Sequence, residues 1–313
     1  MTGPSTPGAR IAEGPLAPER AAQVLALAAA ATAADGVEPL SEDVLLQVRH
    51  GSGPLAVDVV LAADGRDLLG YAHLDEPDEA QGGDMSGELV VHPAHRRQGH
   101  GATLLAGLLA TAPGHGVRLW AHGDLPGAEA LAGKTGFTRI RALLQLRMPL
   151  AKAPAASPAF PDGVTVRPFA PGADEAAWLE VNHRAFAHHP EQGSWTMDDL
   201  RLREEEPWFD PNGFFLAERD GRLAGFHWTK VHQPAAGAGA PIGEVYVVGV
   251  DPGQQGGGLG KALTLTGLAH LRRLGLAEVM LYVDEDNTAA VKMYTALGFE
   301  LWSTDVMYRR PWD

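Results

Sequence analysis

The stretch GEVYVVGVDPGQQGGGLGKALTLTGLAHL, residues 243–271, changes character twice. A β-branched run closes at Val248-Gly249-Val250-Asp251-Pro252, the bend Gln255-Gly256-Gly257-Gly258-Leu259-Gly260 follows, and Leu263, Leu265, Leu268 and Leu271 mark an apolar helix. Strand, glycine-rich bend and helix in that order form an anion-binding device. Glycines let the backbone approach a ligand closely. The unpaired N–H groups of the first helical turn and the positive end of the helix dipole then face phosphate oxygens. A dinucleotide fold is excluded by layout, because its fingerprint belongs in a first strand–helix unit and this bend sits behind a hairpin. A P-loop is excluded because Gly260-Lys261 is followed by Ala262.

The same order occurs a second time in the chain. Leu89-Val90-Val91-His92-Pro93 leads to Arg96-Arg97-Gln98-Gly99-His100-Gly101 and an apolar helix from Thr103, 159 residues earlier. Outward from the two bends, Asp64-Gly65-Arg66 and Asp220-Gly221-Arg222 each separate two apolar runs as hairpin turns, with an offset of 156. Thr135-Gly136-Phe137 and Leu297-Gly298-Phe299 each end a helix with glycine at its C-terminus, offset 162. Order kept while offsets drift by small insertions argues for duplication. Each copy reads as an α+β unit: two helices, a hairpin, a strand, the Gly bend and its helix, a strand, a helix and a closing strand. Between the copies, Arg147 to Gly163 carries Pro149, Pro154, Pro158 and Pro161 and reads as a linker. The expected organisation is an N-terminal domain over 1–150, a linker over 151–163 and a C-terminal domain over 164–313.

Composition narrows the function. With 313 residues, 45% apolar, the chain can bury ample core, and a formal net charge of −14 gives no general attraction to nucleic acid or anionic lipid. No apolar run is long enough to span a membrane. Residues 1–10 are Pro/Gly-rich without the apolar core of an export signal, so a cytoplasmic location is expected. The absence of cysteine removes disulfides, thiolate metal sites and a thiol nucleophile.

On these bends the chain resembles the GNAT family of acyl-CoA-dependent N-acyltransferases, in tandem. The family's pyrophosphate loop, (Gln/Arg)-x-x-Gly-x-(Gly/Ala), is matched at Arg96/Gly99/Gly101 and at Gln255/Gly258/Gly260. The likeness covers both halves and is densest at 243–252, 281–284 and 287–294. It implies an α+β (mixed α/β) fold of two tandem GNAT domains, each a mixed, mostly antiparallel sheet flanked by helices, with acetyl-CoA as co-substrate. In the first half Leu89, Val90, Val91, Arg96, Arg97, Gln98, Gly99, His100 and Gly101 would hold it. In the second half Val248, Gly249, Val250, Gln255, Gly256, Gly257, Gly258, Leu259, Gly260 and Lys261 would do so, with Asn287, Thr288, Ala289, Ala290, Val291 and Lys292 at the next helix. One departure stands out: the family usually places basic residues where this chain has Gly256 and Gly257. Side-chain charge on the diphosphate is lost there, which Lys261 offsets in part.

Acyl transfer to an amine needs a base, donors for the oxyanion and an acid for the departing thiolate. At the internal offsets Tyr294 falls opposite Ala132, Asn287 opposite Leu125 and Glu244 opposite Met85. The second half is therefore expected to react and the first to hold acetyl-CoA without turnover. The resemblance implies Glu244 as general base and Tyr294 as general acid. It further implies, as acceptor, the cysteinyl amine of a small cysteine–glucosamine–inositol conjugate, lined by Glu38, Glu191, Lys230, Glu244 and Tyr282. His188-His189 and the pair His227 and His232 invite a metal, but their spacing places neither pair on one face, and none is expected. A monomer is expected, with no nucleic-acid or membrane partner. Two alternatives stay open: a GNAT acetylating another small amine or a protein N-terminus, and a non-catalytic acyl-CoA-binding sensor.

Overall fold

The computed structural model describes residues 9–12, 16–51, 56–63, 67–79, 82–154, 158–187, 189, 192–233 and 239–312. The Asp64-Gly65-Arg66 turn, His188 and Glu191 lie outside the described residues. Two compact units make up the chain, Met1–Leu143 together with Ser303–Asp313, and Leu144–Trp302.

In the first unit β1 (Ala9–Ala12) precedes the helices α1 (Pro18–Asp35) and α2 (Glu42–His50). The strands β2 (Val57–Ala63), β3 (Asp67–Asp78) and β4 (Asp84–Val91) follow, then α3 (His100–Ala110), β5 (Val117–Ala121), α4 (Pro126–Lys134) and the start of β6 (Thr138–Pro149). The strand order is β1-β2-β3-β4-β5-β12. All of these neighbours are antiparallel except β4 and β5, which run parallel. Leucines of α3 (Leu104, Leu105, Leu108) pack one sheet face, and α1 and α2 cover the other, with Val24, Leu27 and Val44 in one cluster with Tyr71 of β3.

The second unit repeats the plan. It contains the rest of β6, β7 (Val164–Pro168), α5 (Glu175–Ala185), α6 (Met197–Glu204), β8 (Phe214–Arg219) and β9 (Arg222–His232). Next come β10 (Ile242–Val250), α7 (Leu259–Arg273), β11 (Glu278–Asp284), α8 (Thr288–Leu297) and the first residues of β12 (Glu300–Arg310). An aromatic core of Trp178, Trp195, Phe214, Phe226 and Trp228 lies under α5 and α6, while Leu268, Leu271, Tyr294 and Leu297 pack the opposite face under α7 and α8.

The boundaries differ from the sequence expectation at both ends. Residues 144–150 are not the tail of the first domain: Leu146, Met148 and Leu150 are buried in the core of the second unit. Their alternation is that of a half-buried strand, and Pro149 stands at its last position, where a missing N–H is tolerated. The chain's last strand belongs to the first unit, with Val306 to Arg310 laddered against Ala121 to Val117. Val306 and Tyr308 are buried in that unit's core. Composition announced the prolines, but which sheet receives a strand is settled by long-range pairing.

Both parallel pairs separate early, and this opens the site. β4 stays in register with β5 only from Met85 to Glu88, and β10 with β11 only at Gly243 and Glu244. Beyond those points the backbone of Leu89–Val91 and of Val245–Val250 has no strand on that side among the described residues. A β-bulge between Val245 and Val247 sharpens the divergence by bending β10.

Close packing behind this opening is tested at Gly267. A Cβ there would overlap the fully buried His227 ring, whose Nδ1 lies 2.7 Å from the Leu263 carbonyl and cannot swing aside cheaply. Gly267→Ala is therefore expected to destabilise the protein by about 1–3 kcal/mol, read as a lowered thermal midpoint. An unchanged midpoint would show that α7 is free to move away from β9.

Candidate active site

The two Gly bends fold alike. Gly99 and Gly258 cap α3 and α7 from left-handed conformations, φ 88° and 81°. One turn earlier the chain also enters φ > 0, at Gly256 (88°) in one bend and at Arg97 (64°) in the other. Arg97 adopts there a conformation that an L side chain resists. Gly256 removes that strain and, with it, the charge. The first residue of each bend ties back to the strand it follows: Arg96 Nε donates to the Val91 carbonyl at 3.2 Å, and Gln255 Nε2 to that of Val250 at 3.4 Å. Backbone amides, rather than these side chains, are left to meet a diphosphate. Gln255 to Gly258 and Lys261 are solvent-exposed, as a loop open to a ligand must be.

In the first unit the Arg96 guanidinium grips Asp35 with two bonds of 2.6 Å, which raises its pKa and leaves Arg97 as the loop's remaining arginine. Behind the loop lies a cleft of about 680 Å³, lined by Leu89–Val91, Gly99–Ala102, Trp120–His122 and the first turn of α4. That volume suits a small organic ligand. At one wall His122 stands 2.9 Å from Asp305 and 3.5 Å from Glu88. Burial opposes its charge, but the neighbouring Glu88 and the bond to Asp305 prevail and push it up to about 10. Each carboxylate is also held by backbone, Glu88 by Ser41 N and Asp305 by Gly123 N. This acid–base cluster was not foreseen, since Asp305 is distant in sequence and enters through the returning strand.

The second unit gathers Lys230, Glu244 and His232 on one face of the β9–β10 pair. Glu244 lies opposite Lys230 in register. It is buried, and its Oε2 is 2.6 Å from His232 Nε2. Lys230 Nζ sits over the rings of Trp208 (4.4 Å) and Tyr246 (5.1 Å), and the Tyr246 hydroxyl accepts from Arg203 Nε at 2.9 Å. Cations held against aromatic faces beside a carboxylate make a pocket wall for a polar, hydroxyl-rich ligand. The Tyr282 hydroxyl accepts from Gln145 Nε2 at 2.5 Å and the ring is part-exposed. Glu38 belongs to the first unit and is exposed in the α1–α2 connection.

Asn287 caps α8 by accepting from Ala290 N at 3.2 Å, whereas its counterpart Leu125 is the N-cap of α4 without a side-chain bond. Tyr294, one face along α8, is 9% exposed and packs edge-on against Phe299. Its hydroxyl has no hydrogen-bond partner among the described residues. Burial pushes its pKa up to about 12, so at neutral pH it is a proton donor. Its counterpart Ala132 is likewise the buried residue of α4. Among the described residues no three His, Cys, Asp or Glu gather to hold a metal, and no helix is long and apolar enough to cross a membrane.

A profile described as the acetyltransferase (GNAT) family matches residues 29–137 and 177–299. The chain belongs to the GNAT acetyltransferase family. Within it, the chain is 61% identical over 287 residues to a mycothiol acetyltransferase of Thermobispora bispora, covering 92% of this chain and 95% of the relative. It is 55% identical to one of Streptomyces avermitilis, with 94% and 92% covered. A tandem GNAT protein from the clavulanic acid biosynthesis pathway shares the fold with TM-score 0.71 at 23% identity, over 97% of this chain and 98% of that one. Membership makes the chain an acyltransferase with acetyl-CoA as co-substrate, and gives the two Gly bends their chemical sense.

Proposed function

We propose that this GNAT acetyltransferase transfers the acetyl group of acetyl-CoA to the cysteinyl amine of desacetylmycothiol, a cysteine–glucosamine–inositol conjugate, completing mycothiol. The observation that carries the reading is identity of 50–61% to mycothiol acetyltransferases across nearly the whole chain. The wall of Lys230, Trp208 and Tyr246 beside the buried Glu244 suits such an acceptor.

In this reading the second unit reacts. Amides at Gly258 and Gly260 take the diphosphate, the unpaired backbone of β10 takes the pantetheine arm, and Glu244 receives the amine proton. The Tyr294 hydroxyl donates to the sulfur as the carbon–sulfur bond breaks. Glu191, Lys230 and Tyr282 bind the acceptor. The first unit holds a second acetyl-CoA in its cleft and does not turn it over, because Ala132 and Leu125 stand where Tyr294 and Asn287 stand in the second unit. The enzyme works as a cytoplasmic monomer, without nucleic acid or membrane.

The test is direct. Incubation with acetyl-CoA and the conjugate, beside spermidine and a peptide amine, is followed by chromatography that separates free CoA from acceptor thiol. Acetylation of the conjugate well ahead of the other amines is expected. Preference for spermidine or peptide would refute the acceptor assignment.

A further inference from the structure

A row of side chains on the second unit's sheet carries no role in the reaction described above. It starts at the mouth of the split between β10 and β11. Glu244 and Met280 are the last pair in register, and Tyr282 is the next residue of β11 on that face. Val279, Leu281 and Val283 point the other way, into the core under α7 and α8. The Tyr282 hydroxyl accepts from Gln145 Nε2 of β6 at 2.5 Å, and Gln145 Oε1 accepts from Arg147 Nε at 3.0 Å. The Arg147 guanidinium lies over the Trp302 ring of β12, 4.2 Å from its centroid. Leu146 and Met148 are core residues, so strand alternation turns Gln145 and Arg147 onto the face that carries Glu244. All four members of the row belong to the second unit.

Arg147 has binding capacity to spare. It is half-buried, and burial holds its pKa below the ordinary arginine value, though it stays charged at neutral pH. Among the described residues no carboxylate pairs with it, and Nη1 and Nη2 make no hydrogen bond. A guanidinium held at Nε and stacked on a ring, with its outer fork unused, is set to donate to two adjacent oxygens. Beside that fork the indole of Trp302 is 59% exposed and offers an apolar face. A ring with neighbouring hydroxyls on its rim and C–H groups on its face matches both.

Position along the sheet decides which ring. On the β9 side the wall is closed, because Lys230 is buried over Trp208 and Tyr246 with Arg203 behind them. On the β11 side it is open, since Tyr282 and Trp302 are both exposed. β6 follows β11 in the sheet and lies two strand spacings, roughly 10 Å, from β10. A group seated at Arg147 is therefore remote from an amine at Glu244. In the conjugate the inositol is the remote ring, separated from the amine by the rest of the cysteinyl group and by the glucosamine.

We propose that Arg147 and Trp302, aligned through Gln145 and Tyr282, form a subsite for the inositol ring and make the enzyme prefer a two-ring acceptor to a one-ring one. The proposal rests on the acceptor reading given above. The outer fork of Arg147 donates to two neighbouring hydroxyls, and the indole takes the C–H face of the ring. Gln145 acts as a positioning residue, with one end of its amide on Arg147 and the other on Tyr282.

The experiment measures kcat/KM for the full conjugate and for cysteinyl-glucosamine without inositol, at saturating acetyl-CoA. It uses the full chain and its Arg147→Met and Trp302→Ala variants. The unaltered chain is expected to favour the conjugate by about tenfold or more, and each variant to lose about tenfold of that ratio, chiefly through the KM for the conjugate. A loss shared equally by both acceptors marks a merely structural effect and would overturn the proposal. An unmoved ratio, or a ratio near one in the unaltered chain, would do the same. Trp302 lies on the surface, so Trp302→Ala decides the point should Arg147→Met not fold. Failure of the unaltered chain to acetylate either cysteinyl compound discards the acceptor reading itself, whereas turnover with a ratio that the variants leave intact discards this subsite alone.

Discussion

Replacing Tyr294 with phenylalanine is expected to lower kcat by about 10²–10⁴ while leaving the KM for acetyl-CoA near its starting value. The ring already satisfies packing, since it lies edge-on to Phe299 at 5.7 Å and phenylalanine preserves that contact. The hydroxyl has no protein partner among the described residues, so its removal breaks no hydrogen bond and the thermal midpoint should hold. What changes is the chemistry. With its pKa pushed up to about 12 by burial, the phenol keeps its proton across the working range. An ordinary thiol ionises near 8.5, so complete proton transfer to the thiolate is uphill. The hydroxyl therefore acts chiefly as a hydrogen-bond donor to sulfur as charge develops there, and water completes the protonation. It follows that no alkaline fall in kcat below about pH 10 should be traceable to Tyr294, because the group does not ionise there. Steady-state kinetics of Tyr294→Phe across pH checks both statements. Retention of full kcat would remove the phenol from the reaction.

Much of this arrangement was legible because it is local. Gly298 was read as the residue that ends a helix, and it is the left-handed C-cap of α8. The alignment of Asn287 with Leu125 also holds, each being the N-cap of the same helix in its own unit. Other features are set by pairing between distant strands, and sequence offsets do not carry that information. His232 was weighed as a metal ligand with His227. The two do fall on opposite faces, His227 against Leu263 of α7 and His232 against Glu244, but the useful partner was the carboxylate on the next strand. The Glu88–His122–Asp305 cluster was missed for the same reason. Asp305 reaches His122 because β12 returns to β5 in the first unit, and nothing in the flanking residues signals which sheet receives that strand. Ala132 and Leu125 hold the places of Tyr294 and Asn287, and the polar groups of the first unit's cleft, Glu88, His122 and Asp305, stand at other positions.

Raising the pH from about 6.5 to about 10 is expected to destabilise the first unit while acid destabilises the second. In the first unit His73 is fully buried, with Nδ1 2.9 Å from Asp58 and Nε2 3.1 Å from Asp75. Burial alone would depress its pKa, yet the bonds to the two carboxylates prevail and lift it to about 9. His122 is lifted to about 10, with burial opposed by Glu88 and Asp305. A folded pKa above the unfolded value of about 6.5 means that stability is fully present below that pH and drains away as pH rises through the folded value. For His73 alone the loss is on the order of 3 kcal/mol. His227 in the second unit has the opposite sign. Burial pushes it down to about 4, so it folds neutral, and stability is lost as pH falls from about 6.5 towards 4. Hydrogen exchange, corrected for the intrinsic pH dependence of amide exchange, separates the units. Protection in β2 and β3 should weaken in alkali, and protection in α7 and β9 should weaken in acid. His73→Asn should flatten the alkaline response by removing the charge that must be lost, at the expense of a lower stability at neutral pH. Equal weakening of both units at each extreme would mean that these buried histidines do not control where the fold yields.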